Sequence, residues 1–312
     1  MGKEEEIFTR LVKKGVSRRD FMKFSTLMAT TLGLAPTMVP KIAEAVATKP
    51  RPPVIWLHFA ECTGCSEAFL RSTYPWVDDI ILDILDVEYH ETIMAAAGHQ
   101  AEENLHNAMK KYKGKYVCVI EGGIPTKADG KFGLIGGRTM LEIGKEVTKD
   151  ALATVCIGTC ATFGGVQKAA PNPTEAKGVG EALGIKPVNI SGCPPNPINF
   201  VATIVHYLLL GKLPELDDNG RPLFAYGKLI HDNCPRRAHY EEGNFVKVFG
   251  DEGTMNEWCL YEVGCKGPVT YNNCPELKFN DGTSWPIGAG HPCIGCSEPD
   301  FWDEMAPFFV NK

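Results

Sequence analysis

The sequence lacks an excess of positive charge, a membrane-spanning apolar run and any internal repeat. Its 312 residues include 32 Lys and Arg against 38 Asp and Glu, a net charge of −6. A nucleic-acid-binding domain needs a basic face, so this mild acidity argues against nucleic acid as a partner. The uncharged run from Phe24 to Pro40 has 17 residues and two prolines, which is too short and too interrupted for a bilayer span. No later segment is apolar enough either, so we expect a globular chain without a membrane anchor.

The N-terminus has the three regions of an export signal. The arginine pair in Ser17-Arg18-Arg19-Asp20-Phe21-Met22-Lys23 precedes the uncharged run, and small residues follow in Ala43-Glu44-Ala45-Val46-Ala47. This order predicts that residues 1–47 are a twin-arginine signal peptide outside the fold. The predicted location is therefore the periplasm. An amphipathic N-terminal helix with an incidental arginine pair is the alternative.

From Pro53 onwards, strand-like apolar runs alternate with helical patterns. The predicted strands are Val54–Phe59, Ile80–Val87, Lys115–Glu121, Ala153–Ile157 and Pro187–Ile190. The predicted helices are Gln100–Tyr112, Thr139–Thr148, Thr174–Leu183 and Asn199–Leu210. Such alternation favours right-handed βαβ units and a parallel sheet, so residues 48–212 are predicted to form an α/β domain. Residues 213–312 are turn-rich and contain few periodic runs, so we expect a smaller irregular domain organised by metal.

Four of the twelve cysteines come directly after predicted strands. They are Cys62, Cys65, Cys160 and Cys193. Loops at the carboxyl ends of parallel strands face one crevice, so these thiols can converge there. Four thiolates suit a 4Fe–4S cluster or tetrahedral zinc. Cys118 and Cys156 lie within strands and are interpreted as small buried hydrophobic residues.

The C-terminal part contains two more groups with the spacing of metal ligands. One group combines an imidazole with three thiols: His231, Cys234, Cys259 and Cys265. The other has three thiols only: Cys274, Cys293 and Cys296. A three-iron cluster needs three thiolates, so the smaller group is consistent with such a cluster. Three of the cysteines are followed by proline, a pairing found at iron–sulfur ligands.

Together these motifs resemble the small subunit of periplasmic nickel–iron hydrogenases over essentially the whole chain. The motifs that carry the resemblance are Glu61-Cys62-Thr63-Gly64-Cys65-Ser66-Glu67, Gly158-Thr159-Cys160-Ala161-Thr162-Phe163-Gly164-Gly165, Gly192-Cys193-Pro194-Pro195, His231-Asp232-Asn233-Cys234-Pro235-Arg236, Gly264-Cys265-Lys266-Gly267-Pro268 and Pro292-Cys293-Ile294-Gly295-Cys296-Ser297-Glu298.

The resemblance implies a flavodoxin-like N-terminal domain and three clusters. A proximal 4Fe–4S cluster would be held by the proximal group, Cys62, Cys65, Cys160 and Cys193. A distal 4Fe–4S cluster would use the distal group, His231, Cys234, Cys259 and Cys265. A medial 3Fe–4S cluster would use the medial group, Cys274, Cys293 and Cys296. Some relatives have a fourth medial cysteine where this chain has Pro286, which favours three iron atoms.

The resemblance also implies the reaction and the partners. The nickel–iron site that splits H₂ into protons and electrons lies in a separate large subunit, so no catalytic residue is expected in this chain. The clusters would conduct electrons towards a multihaem c-type cytochrome, and Glu61 is a possible proton relay. Oxygen-tolerant relatives carry extra cysteines where this chain has Gly64 and Gly165, so the standard oxygen-sensitive type is expected.

Two other classes of protein remain as alternatives. A disulfide-stapled periplasmic binding or structural protein would have its thiols oxidised in pairs. A member of a quinone-reducing complex would share the α/β fold, but that family typically has adjacent cysteines and one cluster. This chain has no Cys-Cys pair and eleven candidate ligands.

Overall fold

A five-stranded parallel sheet forms the centre of the N-terminal part. The computed structural model describes residues 17–72, 84–280, 282–299 and 301–309. The strands are β1 (Pro53–His58), β2 (Asp86–His90), β3 (Val117–Glu121), β4 (Ala153–Ile157) and β5 (Val188–Ile190). They pair in parallel in the order β2-β1-β3-β4-β5. This is the flavodoxin-like strand order, so the predicted fold class is confirmed.

Helices cover both faces of the sheet, as its doubly buried strands require. The α-helices described in this part are α1 (Arg18–Thr31), α2 (Val39–Thr48), α3 (Gly64–Leu70), α4 (His99–Lys111), α5 (Met140–Lys149), α6 (Gly158–Phe163), α7 (Gly165–Lys168), α8 (Val179–Leu183) and α9 (Pro197–Leu210). Local sequence sets several ends. Thr139 and Glu142 form a capping box at the start of α5, and Gly211 ends α9 with a φ of 70°.

Two predicted elements differ from the structure. The second strand begins at Asp86, later than the predicted run, whose residues 80–83 lie outside the described residues. The helix predicted over 174–183 is wrong in its first half, since helix begins only at Val179. Glu175 has a φ of 51°, which interrupts a right-handed helix, and Ala176–Lys177 pairs instead with Ile124–Pro125.

The described part of the predicted signal region, residues 17–47, packs against α9 in this structure. Its apolar residues recur at helical spacing, and Phe21, Phe24 and Met28 of α1 join Ile42 and Val46 of α2 in one buried cluster with α9. The region therefore lies within the fold of the full-length chain. Its removal after export stays a prediction.

The C-terminal part is built from short turns around a small third core. Its short helices are Leu223–Tyr226, Arg237–Glu241, Glu252–Met255, Cys274–Leu277 and Phe301–Glu304. A turn joins it to the sheet, because the Asn189 backbone N–H of β5 donates to the Gly220 carbonyl at 2.8 Å. The Asn189 side chain also donates to the Asn219 carbonyl at 2.7 Å. Among the described helices, none has the length and apolar character that a bilayer span requires.

Candidate metal centres

The proximal group assembles where three strands end. Cys62 and Cys65 follow β1, Cys160 lies in α6 directly after β4, and Cys193 follows β5. All four thiols thus follow the carboxyl ends of β1, β4 and β5. Burial is the main cause that raises the pKa of the Cys65 thiol, and Glu121 and the other three thiols raise it further. Because β1, β4 and β5 belong to one parallel sheet, these thiols lie at the same edge of it.

Glycine gives the proximal thiols their room. Gly158 has a φ of 86°, and a Cβ placed there would lie 2.4 Å from Cys65 Sγ. A Cβ at Gly165, with a φ of 58°, would lie 2.5 Å from Cys160 Sγ. A side chain at either position would displace a proximal thiol as well as strain the backbone.

Glu121, which the sequence analysis did not single out, holds the loop that carries Cys65. It ends β3, is 1% exposed, and accepts hydrogen bonds from the backbone N–H groups of Cys65 at 3.0 Å and of Ser66 at 3.1 Å. Ser66 Oγ donates to it at 2.6 Å. Thr63 does not cap α3 through its side chain, so a carboxylate from a neighbouring strand satisfies the free N–H groups. An acidic residue ending an otherwise apolar strand was the available signal.

The distal group lines one small cavity in the C-terminal part. Its four members, His231, Cys234, Cys259 and Cys265, all contribute to the wall. The His231 ring makes an edge contact with the Tyr240 ring, with centroids 4.6 Å apart. The predicted grouping of one imidazole with three thiols is therefore brought together by the fold.

The medial group lines a larger cavity of about 370 Å³. Cys274, Cys293 and Cys296 share this wall with Pro286 and with Cys193 of the proximal group. Pro286 thus lies at the same cavity as the three thiols, although it is not itself a ligand type. The cavity is mostly apolar, which is the kind of environment that tunes a cluster potential.

The medial group adjoins each of the other two groups. Cys193 of the proximal group lines the same cavity as Cys274, Cys293 and Cys296 of the medial group. The Lys266 N–H also donates to the Cys293 carbonyl at 2.8 Å. The medial group therefore lies between the other two.

The chemistry of these groups fits iron–sulfur clusters. Burial, together with neighbouring thiols, raises the pKa of Cys193 to about 12 and that of Cys259 to about 11. Buried thiolates that repel each other need a positive centre, which an iron cluster supplies. All twelve cysteines are unpaired, so nothing here supports the disulfide alternative. Cys118 and Cys156 are fully buried in β3 and β4, as the sequence analysis expected.

A buried polar cluster lies beside the proximal group. Glu61 Oε1 accepts from Thr63 Oγ1 at 3.1 Å and lies 3.2 Å from His58 Nδ1. Burial lowers the pKa of His58, but the carboxylates of Glu61, Glu121 and Glu91 outweigh it, and the net shift is upward. Glu61 Oε2 is buried and has no hydrogen-bond partner among the described residues.

A buried arginine, also missed from sequence, supports the medial group. Arg221 is 2% exposed and pairs with Asp217 at 2.8 Å and with Glu298 at 3.0 Å. Its Nη1 donates to the Ser297 carbonyl, next to Cys296. Removing one partner of such a buried pair typically costs about 3–5 kcal/mol. The signal in the sequence was Glu298 beside a Cys-x-x-Cys motif.

Thr159 joins the proximal and medial loops. Its Oγ1 accepts from the Gly192 N–H at 3.0 Å and donates to the Cys296 carbonyl. Further along, the buried side chains of Asn199 and Asn273 exchange hydrogen bonds of 3.0 and 2.9 Å. The sheet and the C-terminal part are therefore fixed to each other around the thiols.

The fold and the three thiol groups define an α/β protein of the iron–sulfur electron-transfer class. Residues 226–309 match the family model for the C-terminal part of the NiFe/NiFeSe hydrogenase small subunit. Residues 62–207 match the model for the 20 Kd subunit of NADH ubiquinone oxidoreductase, so the fold is shared with the quinone-reducing alternative.

Relatives with known names match along nearly the full length. The chain is 56% identical to the periplasmic [NiFe] hydrogenase small subunit of Solidesulfovibrio fructosivorans, covering 96% of this chain and 95% of that relative. It is 52% identical to small subunit 1 of the periplasmic [NiFe] hydrogenase of Nitratidesulfovibrio vulgaris, covering 97% and 96%. The Ni-Fe-Se hydrogenase structure from Desulfomicrobium baculatum superposes with a TM-score of 0.79 at 36% identity, covering 84% of this chain and all of that one.

This chain belongs to the small subunits of nickel–iron hydrogenases. It is the electron-transfer subunit of an oxidoreductase that works as a heterodimer with a large nickel–iron subunit. The predicted family is confirmed, and iron–sulfur clusters are the cofactors expected of it.

Proposed function

We propose that this chain conducts electrons through three clusters between the nickel–iron site of its partner and a periplasmic acceptor. The proximal and distal groups each hold a 4Fe–4S cluster, and the medial group holds a 3Fe–4S cluster. The observation that carries the proposal is the arrangement of the three groups. Cys193 lines the same cavity as the medial thiols, and the Lys266 N–H, next to Cys265, donates to the Cys293 carbonyl at 2.8 Å. When bound, the clusters supply one-electron redox chemistry, and the thiols and His231 of this chain would hold them.

The donor sets support the direction of tuning among the three clusters. Three thiolates leave less negative charge on a medial cluster than four would, which raises its potential. A neutral His231 in place of a thiolate acts in the same direction at the distal cluster. Hydrogen bonds from outer residues such as Arg221 keep the ligand loops in place.

Iron and sulfide analysis of the purified heterodimer tests the three clusters. We expect about eleven iron atoms in clusters per heterodimer, beyond the iron of the nickel–iron site, and a brown protein. The oxidised protein should give a near-isotropic three-iron signal in electron paramagnetic resonance. A colourless protein whose thiols are oxidised in pairs would contradict the proposal.

We also propose the periplasm as the location and the twin-arginine pathway as the route. Two relatives are named as periplasmic enzymes, and the arginine pair and small-residue segment fit a leader of residues 1–47. The proposed acceptor is a multihaem c-type cytochrome that docks near the distal cluster. Fractionation of cells and the N-terminal sequence of the mature chain test the route.

Glu61 is proposed as a proton relay at the proximal edge. Its Oε1 lies beside Thr63 and His58, but its Oε2 is buried and lacks a hydrogen-bond partner among the described residues. Oε2 is therefore available to accept and release a proton. We expect Glu61→Gln to slow H₂ turnover by roughly 100-fold, the contribution typical of a positioned acid or base. Iron content should not change. The exposed Glu67, changed to Gln, is the matched control. Equal rates of H₂ turnover in the Glu61 and Glu67 variants would contradict the proposed relay role of Glu61.

The standard oxygen-sensitive type is proposed from the glycines beside the proximal thiols. Gly64 and Gly165 lie within reach of Cys62 Sγ and Cys160 Sγ, at 3.1 and 2.5 Å from a placed Cβ. These are the positions where oxygen-tolerant relatives are expected to carry additional cysteines. Inactivation of H₂ oxidation by air, measured on the purified heterodimer, tests this assignment.

A further inference from the structure

The predicted leader covers an apolar face of the mature domain. Met28 and Ile42 are completely buried, and they lie in one cluster with Phe200, Ile204 and Leu208. All three belong to α9, which both α1 and α2 contact. If residues 1–47 are removed, this face of α9 loses its cover. Contiguous apolar patches of that kind mark interaction sites on soluble proteins.

The same face continues to the proximal group. Cys65 packs against the cluster that holds the leader residues, and Phe69 of α3 lies within it. Trp56 of the cluster contacts Phe69 and Phe200, with ring centroids 5.2 and 5.6 Å apart. Cys62 and Cys193 are exposed at the adjoining edge. A subunit that delivers electrons to the proximal cluster must cover that edge.

The predicted cleavage segment is helical and largely buried in this arrangement. It lies in α2, and Ala43, Ala45 and Val46 are buried. A peptidase binds an extended backbone, so cleavage requires this helix to leave α9 and unwind. The apolar run and the cleavage segment are therefore masked for as long as they occupy the face, whereas Ser17, Arg19 and Asp20 at the start of α1 are exposed.

We propose that the large subunit takes the face that α1 and α2 occupy in the precursor, so that assembly displaces the leader and uncovers its apolar run and its cleavage segment. This inference rests on the proposed export route and on pairing with the large subunit. In this arrangement α1 and α2 cover the subunit interface until the large subunit binds. An unassembled small subunit keeps the apolar run and the cleavage segment of its leader buried.

Amide hydrogen exchange on the cluster-loaded, full-length chain tests the inference, with the chain alone compared with its heterodimer. We expect the amides of α1 and α2 to exchange at least about 100-fold more slowly in the free chain than in the heterodimer, because these helices must open locally before their amides exchange. α9 should stay protected in both forms. A leader that is protected equally in the heterodimer would overturn the proposal, as would a leader that is exposed in both.

A charge placed on each side of α1 separates masking from general helix stability. Met28→Asp puts a carboxylate on the buried side, and Thr26→Asp puts the same group on the exposed side two residues away. We expect fast leader exchange in the free Met28→Asp chain and unchanged protection in Thr26→Asp. Equal exchange of the leader amides in the two variants would contradict the packing of α1 against α9. Iron content is measured on the same samples, so a failure of the three-cluster proposal would be recognised separately.

Discussion

Replacing Pro286 by Cys is expected to abolish the three-iron signal of the oxidised heterodimer. Pro286 lines the cavity of about 370 Å³ together with Cys274, Cys293 and Cys296. A fourth thiolate at that wall completes the donor set of a 4Fe–4S cluster, which binds one more iron atom. The near-isotropic signal should fall from about one spin per heterodimer to almost none, and iron content should rise by about one atom.

Pro286→Ser is the matched control for this substitution. It removes the same proline ring from the same wall and supplies a hydroxyl, which is a much poorer iron ligand than a thiolate. The three-iron signal should therefore persist in Pro286→Ser. An unchanged signal in the cysteine variant, with the protein folded and brown, would contradict the medial ligand assignment. The medial potential should also fall in the cysteine variant, since the added thiolate increases the negative charge.

Loss of Cys160 is expected to remove the proximal cluster and interrupt electron flow. Loss of an outer-shell partner alone typically costs 10–100-fold in metal affinity, and loss of a direct ligand should cost about as much or more. We therefore expect Cys160→Ala to lose about four iron atoms. H₂-dependent reduction of an external acceptor should fall by about 100-fold or more. Iron analysis and acceptor-reduction assays measure both effects.

Cys118→Ala provides the comparison, because it deletes a thiol that none of the three proposed ligand groups uses. Cys118 is fully buried within β3, and burial raises its thiol pKa so far that it stays protonated. Its loss should cost stability as a small cavity and leave the iron content unchanged. Similar iron loss in the two variants would indicate misfolding of the sheet and would remove the argument for Cys160 as a ligand.

The proximal group could be predicted from sequence because the ends of apolar strands can be recognised there. Cys62, Cys160 and Cys193 each follow an apolar run, and parallel strands place such positions at one side of the sheet. Glu121 and Arg221 were missed for the opposite reason. Their roles depend on backbone groups far along the chain, such as the N–H of Cys65 and the carbonyl of Ser297, which no local pattern reveals.

The elements that sequence misjudged depend on backbone geometry or on a partner surface. The start of α8 was placed too early because the positive φ of Glu175 has no side-chain signature of its own. The helical spacing in α1 is readable, but the face that buries Met28 is made by α9, which begins 169 residues later in the chain. An apolar leader segment looks the same in sequence whether it is packed or free.

The turn that follows α9 has a consequence for any attempt to separate the two parts of the chain. β5 is the last strand of the sheet. The backbone N–H of Asn189 donates to the Gly220 carbonyl, and the Asn189 side chain donates to the Asn219 carbonyl. A chain ended near residue 212 would leave this strand with an open hydrogen-bonding edge. Such an edge recruits another copy of the same strand, so the isolated sheet should self-associate and precipitate.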